Sequence, residues 1–173
     1  IDQSSDKELF EKTKLAIADI FSRNLDSQAA IQTYQNIIDT SPEFKRSAYI
    51  KIASIHKKIN NYEQSIAAYR NALQANPTND KYPNAELQFL IADSHELLNK
   101  SDQAIEEYLK IPYLYSKEAY WVIKAYLRMA RIFEDREQWE DAKTAYTKIQ
   151  TFNTDESKFA QERLDWIQEY ATH

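Results

Sequence analysis

The sequence predicts an all-α fold of stacked helix hairpins, and two observations carry that prediction. Its 173 residues contain no glycine. Strand-rich folds rely on Gly for hairpin turns and bulges, so a chain without it is better served by helices whose turns other residues can make. The second observation is a repeat. A small residue followed four positions later by tyrosine recurs at Ala30/Tyr34, Ser65/Tyr69, Ala104/Tyr108 and Ala142/Tyr146, and twelve residues upstream of each stands Ala18, Ala53, Ala92 or Ala130. A large apolar residue precedes each upstream alanine (Ile17, Ile52, Ile91, Met129), and a ring follows three positions after it (Phe21, His56, His95, Phe133). Antiparallel helices joined by a tight turn approach closely only where small side chains face each other, and the Ala/Ala or Ala/Ser pairs supply that clearance.

Taken in order, the helices are predicted to pair as 6–22 with 26–40, 43–59 with 62–75, 83–98 with 102–114 and 117–135 with 138–151. Asn24, Asn60, Asn61 and Asn99 fall where the turns must adopt left-handed backbone, which Asn tolerates. Ser41 followed by Pro42 reads as a cap with proline in the first turn, and Pro83 plays the same part for the third pair. Pro112 lacks an N–H, so the helix carrying it should kink or stop nearby. Tyr113, Tyr115, Tyr120 and Trp121 then lie at the hand-over to the next helix, and are read as a joint filled by rings rather than a ligand pocket. The last stretch, 155–171, places Phe159, Leu164, Trp166, Ile167 and Tyr170 on one stripe and reads as a helix that caps the stack.

The stretch YIKIASIHKKINNYEQSIAAYRNALQANP (49–77) resembles a tetratricopeptide (TPR) repeat: Tyr49, Ile52, Ala53, His56, Tyr62, Ser65, Tyr69, Ala72 and Pro77 occupy that family's pattern positions. Ala stands where the family has a small Gly, and the spacings between successive repeats of 35, 39 and 38 residues exceed the usual period of about 34. The resemblance implies a right-handed superhelical solenoid forming one domain over 1–173, with repeats at about 6–42, 43–79, 83–116 and 117–152 and a capping helix at 155–171.

It also implies that first helices line a concave groove that holds a partner protein segment. The positions carried over are Leu15, Asp19 and Ser22; Ile50, Lys51, Ser54, Lys57 and Lys58; Phe89, Leu90, Asp93 and Glu96; and Leu127, Arg128, Arg131 and Glu134. Of these, Ile50, Lys51, Ser54, Lys57, Phe89, Asp93, Leu127, Arg128 and Arg131 are the candidate partner-binding set. Lys57, Asp93 and Arg128 either meet a partner or pair with one another across adjacent helices. The carboxylate clamp of chaperone-tail-binding members is not reproduced, since Leu15 and Asp19 stand where its Lys and Asn belong, so an extended or helical segment with apolar residues and some negative charge fits better. AIEEYLKIPYLY (104–115) is similar to second helices in TPR proteins of the bacterial cell envelope, which points to the envelope or periplasm over the cytoplasm.

Composition bounds the remainder. With 22 basic and 27 acidic residues the net charge is −5, which gives nucleic-acid binding little electrostatic support. No apolar run is long enough to span a bilayer. With no cysteine and three histidines, and without a glycine-rich phosphate loop, an HExxH helix or a GxSxG elbow, the chain presents no template for catalysis, cofactor or metal. His56 and His95 are read as core or groove rings, and the carboxylate pairs Glu106/Glu107 and Asp135/Glu137 as solvated faces. Ile1, in place of Met and with no leader behind it, reads as the start of a processed product or of a piece of something longer. Residues 1–78 carry 10 basic and 9 acidic side chains, and 79–173 carry 12 and 18, an asymmetry that would suit oligomers. Beside the non-catalytic scaffold stand two other readings: a self-association module, and the regulatory region of a larger enzyme or envelope machine.

Overall fold

The computed structural model describes residues 3–23, 26–75 and 82–171, and their side chains apart from those of 3–8, 11 and 23. Asn24 and Pro77 lie outside the described residues. The chain divides into two compact units, Ile1–Pro83 and Asn84–His173. The first holds α1 (Gln3–Arg23), α2 (Ser27–Thr40), a 3-10 turn (Pro42–Phe44), α3 (Lys45–Lys58) and α4 (Tyr62–Gln74). The second holds α5 (Asn84–Leu97), α6 (Ser101–Leu114), α7 (Ala119–Asp135), α8 (Trp139–Gln150) and α9 (Asp155–Trp166), which runs into a π-helical turn at Ile167–Ala171. The fold is an all-α helical repeat, and no strand occurs among the described residues.

Within each unit, successive helices pack on one another: α1 on α2, α2 on α3 and α3 on α4 in the first, and α5 through α9 in chain order in the second. The crossings are made as the small residues require. Ala18, Ala30, Ala53, Ser65, Ala92, Ala104, Ala130 and Ala142 are all fully buried, and Tyr34, Tyr69, Tyr108 and Tyr146 fill the space one turn along. In the second unit Ala92, Ala104, Tyr108, Ile111, Ala125, Met129 and Ile132 share one core cluster, and Ala130, Ala142, Tyr146, Ile149, Ala160 and Ile167 a second. Each fully buried Ile, Leu or Met contributes about 1.5–3 kcal/mol, so a lone hairpin strips itself of most of its anchors.

The turns follow the sequence with one surprise. Asn60 and Asn99 adopt φ of 61° and 57°, but the matching position of the fourth repeat is Glu137, at φ 57°. Asn61 instead sits at φ −85°, ahead of α4.

Three sequence-based expectations change, and one about Pro112 holds. Ser41 makes no side-chain capping bond, being buried beside Thr40, and Pro42 opens the short 3-10 turn rather than α3 itself. As expected for a helix that carries Pro112, α6 ends two residues beyond it at Leu114, where Tyr115 N–H closes the last turn onto Ile111. The proposed ring joint is half real: Tyr115 and Trp121 pack on the core, while Tyr113 is 86% exposed and Tyr120 58%. Tyr113 lies two residues from buried Ile111, which turns it to the opposite side of the helix. Glu107 is no solvated carboxylate; only 6% exposed, it accepts from Gln88 Nε2 and Lys110 Nζ, both at 2.6 Å.

Candidate functional site

The candidate residues lie on the first helices, where the charges pair by a repeated rule. In the first unit Tyr34 of α2 donates its hydroxyl to Asp19 of α1, and Lys51 of α3 reaches the same carboxylate at 2.8 Å. In the second, Tyr108 of α6 donates to Glu96 of α5 at 3.1 Å, while Arg128 of α7 grips Glu96 with Nε at 3.1 Å and Nη2 at 2.6 Å. One hairpin on, Tyr146 of α8 bonds Glu134 of α7, and Arg163 of α9 donates to it from Nε at 3.0 Å. Each acid is thus clasped between its own second helix and the next first helix. An arginine fork on a carboxylate adds direction to charge, which suits it to setting hairpin against hairpin.

Electrostatics reflect the burial. Desolvation first, then Glu134, push the Tyr146 hydroxyl up to about 12. Tyr108 is raised further, by burial and then by Glu96 and Asp93. Burial works against the Arg128 charge, but its bonds to Tyr108 and Glu96 more than offset this and hold it above its ordinary value.

The candidates therefore sort by what already occupies them. Ile50 is 4% exposed and belongs to the core. Lys51 is bound to Asp19, and Arg128 to Glu96 with Asp93 at 3.6 Å. Phe89 is half-buried, its ring 5.2 Å from Tyr108 and 5.4 Å from Trp121. Leu127 is half-buried against the last core cluster, Lys57 is partly exposed, and Ser54 is exposed. Arg131 is exposed and has no ion pair among the described residues. Near Phe89, Lys124 Nζ lies 4.5 Å over the Tyr120 ring and 5.2 Å over Trp121. Sequence reasoning overlooked Lys124 and the tyrosine hydroxyls, and read Tyr120 as part of a joint. The tyrosines' constant spacing from the crossing alanines was the signal for the clasp.

Two stretches match family models described as tetratricopeptide repeat, residues 47–79 and residues 124–151. These two stretches are tetratricopeptide repeats. The chain is similar in its TPR arrangement to the solved structure of MamA protein, with a TM-score of 0.61 at 16% identity over 82% of this chain and 72% of that one, a likeness of fold. It is also 38% identical to human DnaJ homolog subfamily C member 7 over 102 residues, 58% of this chain. The chain spans about a fifth of that relative's length. TPR arrays are protein-interaction scaffolds, and this chain is one by its construction.

Proposed function

We propose that the chain is a non-catalytic scaffold that holds a partner protein segment against its first helices, in the concave groove that TPR packing implies, with 1–173 acting as one binding domain. The observation that supports this reading is on α7. Arg128 is consumed by Glu96, but Arg131 one turn away is exposed, with no ion pair among the described residues, and Lys124 one turn the other way lies over Tyr120 and Trp121. Cation and ring surface side by side suit a segment that carries a large apolar side chain and a carboxylate a few residues apart. Lys51 and Arg128 serve the scaffold, and Phe89 backs the ring platform from below.

Peptide display against the chain should enrich acidic segments with an aromatic or aliphatic anchor, and Arg131→Glu together with Lys124→Glu should abolish the enrichment. Enrichment indifferent to that double change would remove this face from the account. An envelope or periplasmic setting belongs to the same proposal, resting on the likeness of 104–115; fractionation of cells making the full-length protein tests it.

A further inference from the structure

Helix α9 repeats α7 one hairpin on, at a constant offset of 35 residues, Ala125 to Ala160 and Arg128 to Arg163. Ala160, Leu164 and Ile167 pack where α7 has Ala125, Met129 and Ile132, and Arg163 reaches Glu134 as Arg128 reaches Glu96. The side by which α7 meets α8 carries Tyr126, Ala130 and Phe133; on α9 the same positions are Gln161, Asp165 and Gln168, groups suited to water. The third face does not follow that trend. Where α7 has Lys124, Leu127 and Arg131, α9 has Phe159, Glu162 and Trp166. Phe159 is 48% exposed and Trp166 40%; Tyr170, in the π-helical turn, is 61% exposed with its ring 5.9 Å from Trp166. Trp139 of α8 backs Trp166 at 6.2 Å. A helix that served only to close the stack would be polar here too, because exposed rings bury little and invite contact.

We propose, on the footing of the groove reading, that α9 is a further wall of the same site and that the partner segment changes character as it crosses: acidic against α7, then a large apolar residue beside a lysine or arginine against α9. The two faces adjoin. Arg163 of α9 donates to Glu134 of α7, one turn from Arg131, and its guanidinium lies 4.5 Å over the Trp166 ring. Between them the exposed charge changes sign. α7 presents Lys124 and Arg131, with Asp135 only at its last residue, whereas α9 presents Glu162 and Glu169, its Arg163 being spent on Glu134. Glu162 and Glu169 have no ion pair among the described residues. Carboxylates set among ring faces favour a cation twice, by charge and by the ring quadrupole, and the rings take the apolar neighbour. Side-by-side helices stand about 8–10 Å apart, which about three residues of extended chain span, so the acid and the base belong about three positions apart.

Fluorescently labelled peptides test this. One set carries an acidic residue and, about three positions away in either chain direction, Leu beside Lys; a second has Leu beside Glu there, and a third Ala beside Glu. The first set should bind the chain about fivefold or more tighter than the third. Glu162→Lys, an exposed change that should leave the helical circular dichroism unaltered, should move the preference from the first set to the second. Tyr170→Ala should weaken binding of the first set about threefold or more. Sets that bind alike, a preference untouched by Glu162→Lys, or an affinity unmoved by Tyr170→Ala overturns the α9 wall and leaves the α7 reading standing. Binding by none of the sets, or binding indifferent to Arg131→Glu with Lys124→Glu, removes the α7 reading and the α9 wall with it.

Discussion

The Ser65 hydroxyl donates a 2.9 Å hydrogen bond to the carbonyl of Ala53, across the crossing of α4 on α3, and both residues are fully buried. The other three crossings place alanine opposite alanine. Ser65→Ala should therefore preserve the packing and cost only the bond, about 0.5–1.5 kcal/mol in urea melts. Ala53→Leu forces the helices apart and should cost about 1–3 kcal/mol or more. If the leucine variant melted like the parent, close approach at small residues would not be what holds the hairpin.

Glu137 adopts a left-handed backbone that Asn fills at the same place in two other turns. A residue with a Cβ pays roughly 1 kcal/mol there, and Asn or Gly less. Glu137→Gly should raise stability by about 1 kcal/mol at an exposed site where no other contact changes, read as a higher melting temperature. Asn99→Ala should move it the other way.

Arg46 is 2% exposed, and its guanidinium donates to the carbonyls of Ala72 and Tyr82, each at 2.9 Å. It ties the end of α4 and Tyr82 to α3. Arg46→Met keeps most of the volume but strands both carbonyls, and should cost about 2–4 kcal/mol by chemical denaturation.

Glu96 receives both Arg128 and the hydroxyl of buried Tyr108. Glu96→Ala leaves that hydroxyl without this acceptor and Arg128 facing Asp93 at 3.6 Å, and should destabilise by about 2–3 kcal/mol. Double-mutant cycles with Tyr108→Phe and Arg128→Met should show coupling; additive losses would mean that the three groups act separately.

Alkaline pH should unfold the chain. Burial raises Tyr108 and Tyr146, the latter to about 12, above the ordinary tyrosine value of 10.0. Above pH 10 the unfolded chain releases these protons while the folded one retains them, so stability is complete below that pH and falls through the folded values. Tyr146→Phe should flatten the decline between pH 10 and 12. His56 behaves oppositely at the other end: burial lowers it below 6.5, so its contribution is lost as pH drops beneath that value.

The sequence by itself determined the hairpins, their order and the residues at every crossing, because a crossing admits only small side chains and the spacing along each helix is set by its period. Ala18, Ala53, Ala92 and Ala130 could be named without coordinates for that reason. Tertiary structure alone decided which charges remain available. Lys51, Arg128 and Arg131 look alike as letters, yet two are held by acids on a neighbouring helix and one is not. It also decided that Tyr113 faces solvent while Glu107 is buried, and that Ile17 is exposed where Ile52 is covered. Local pattern says which way a side chain leaves its helix; whether another helix stands there depends on what packs against it.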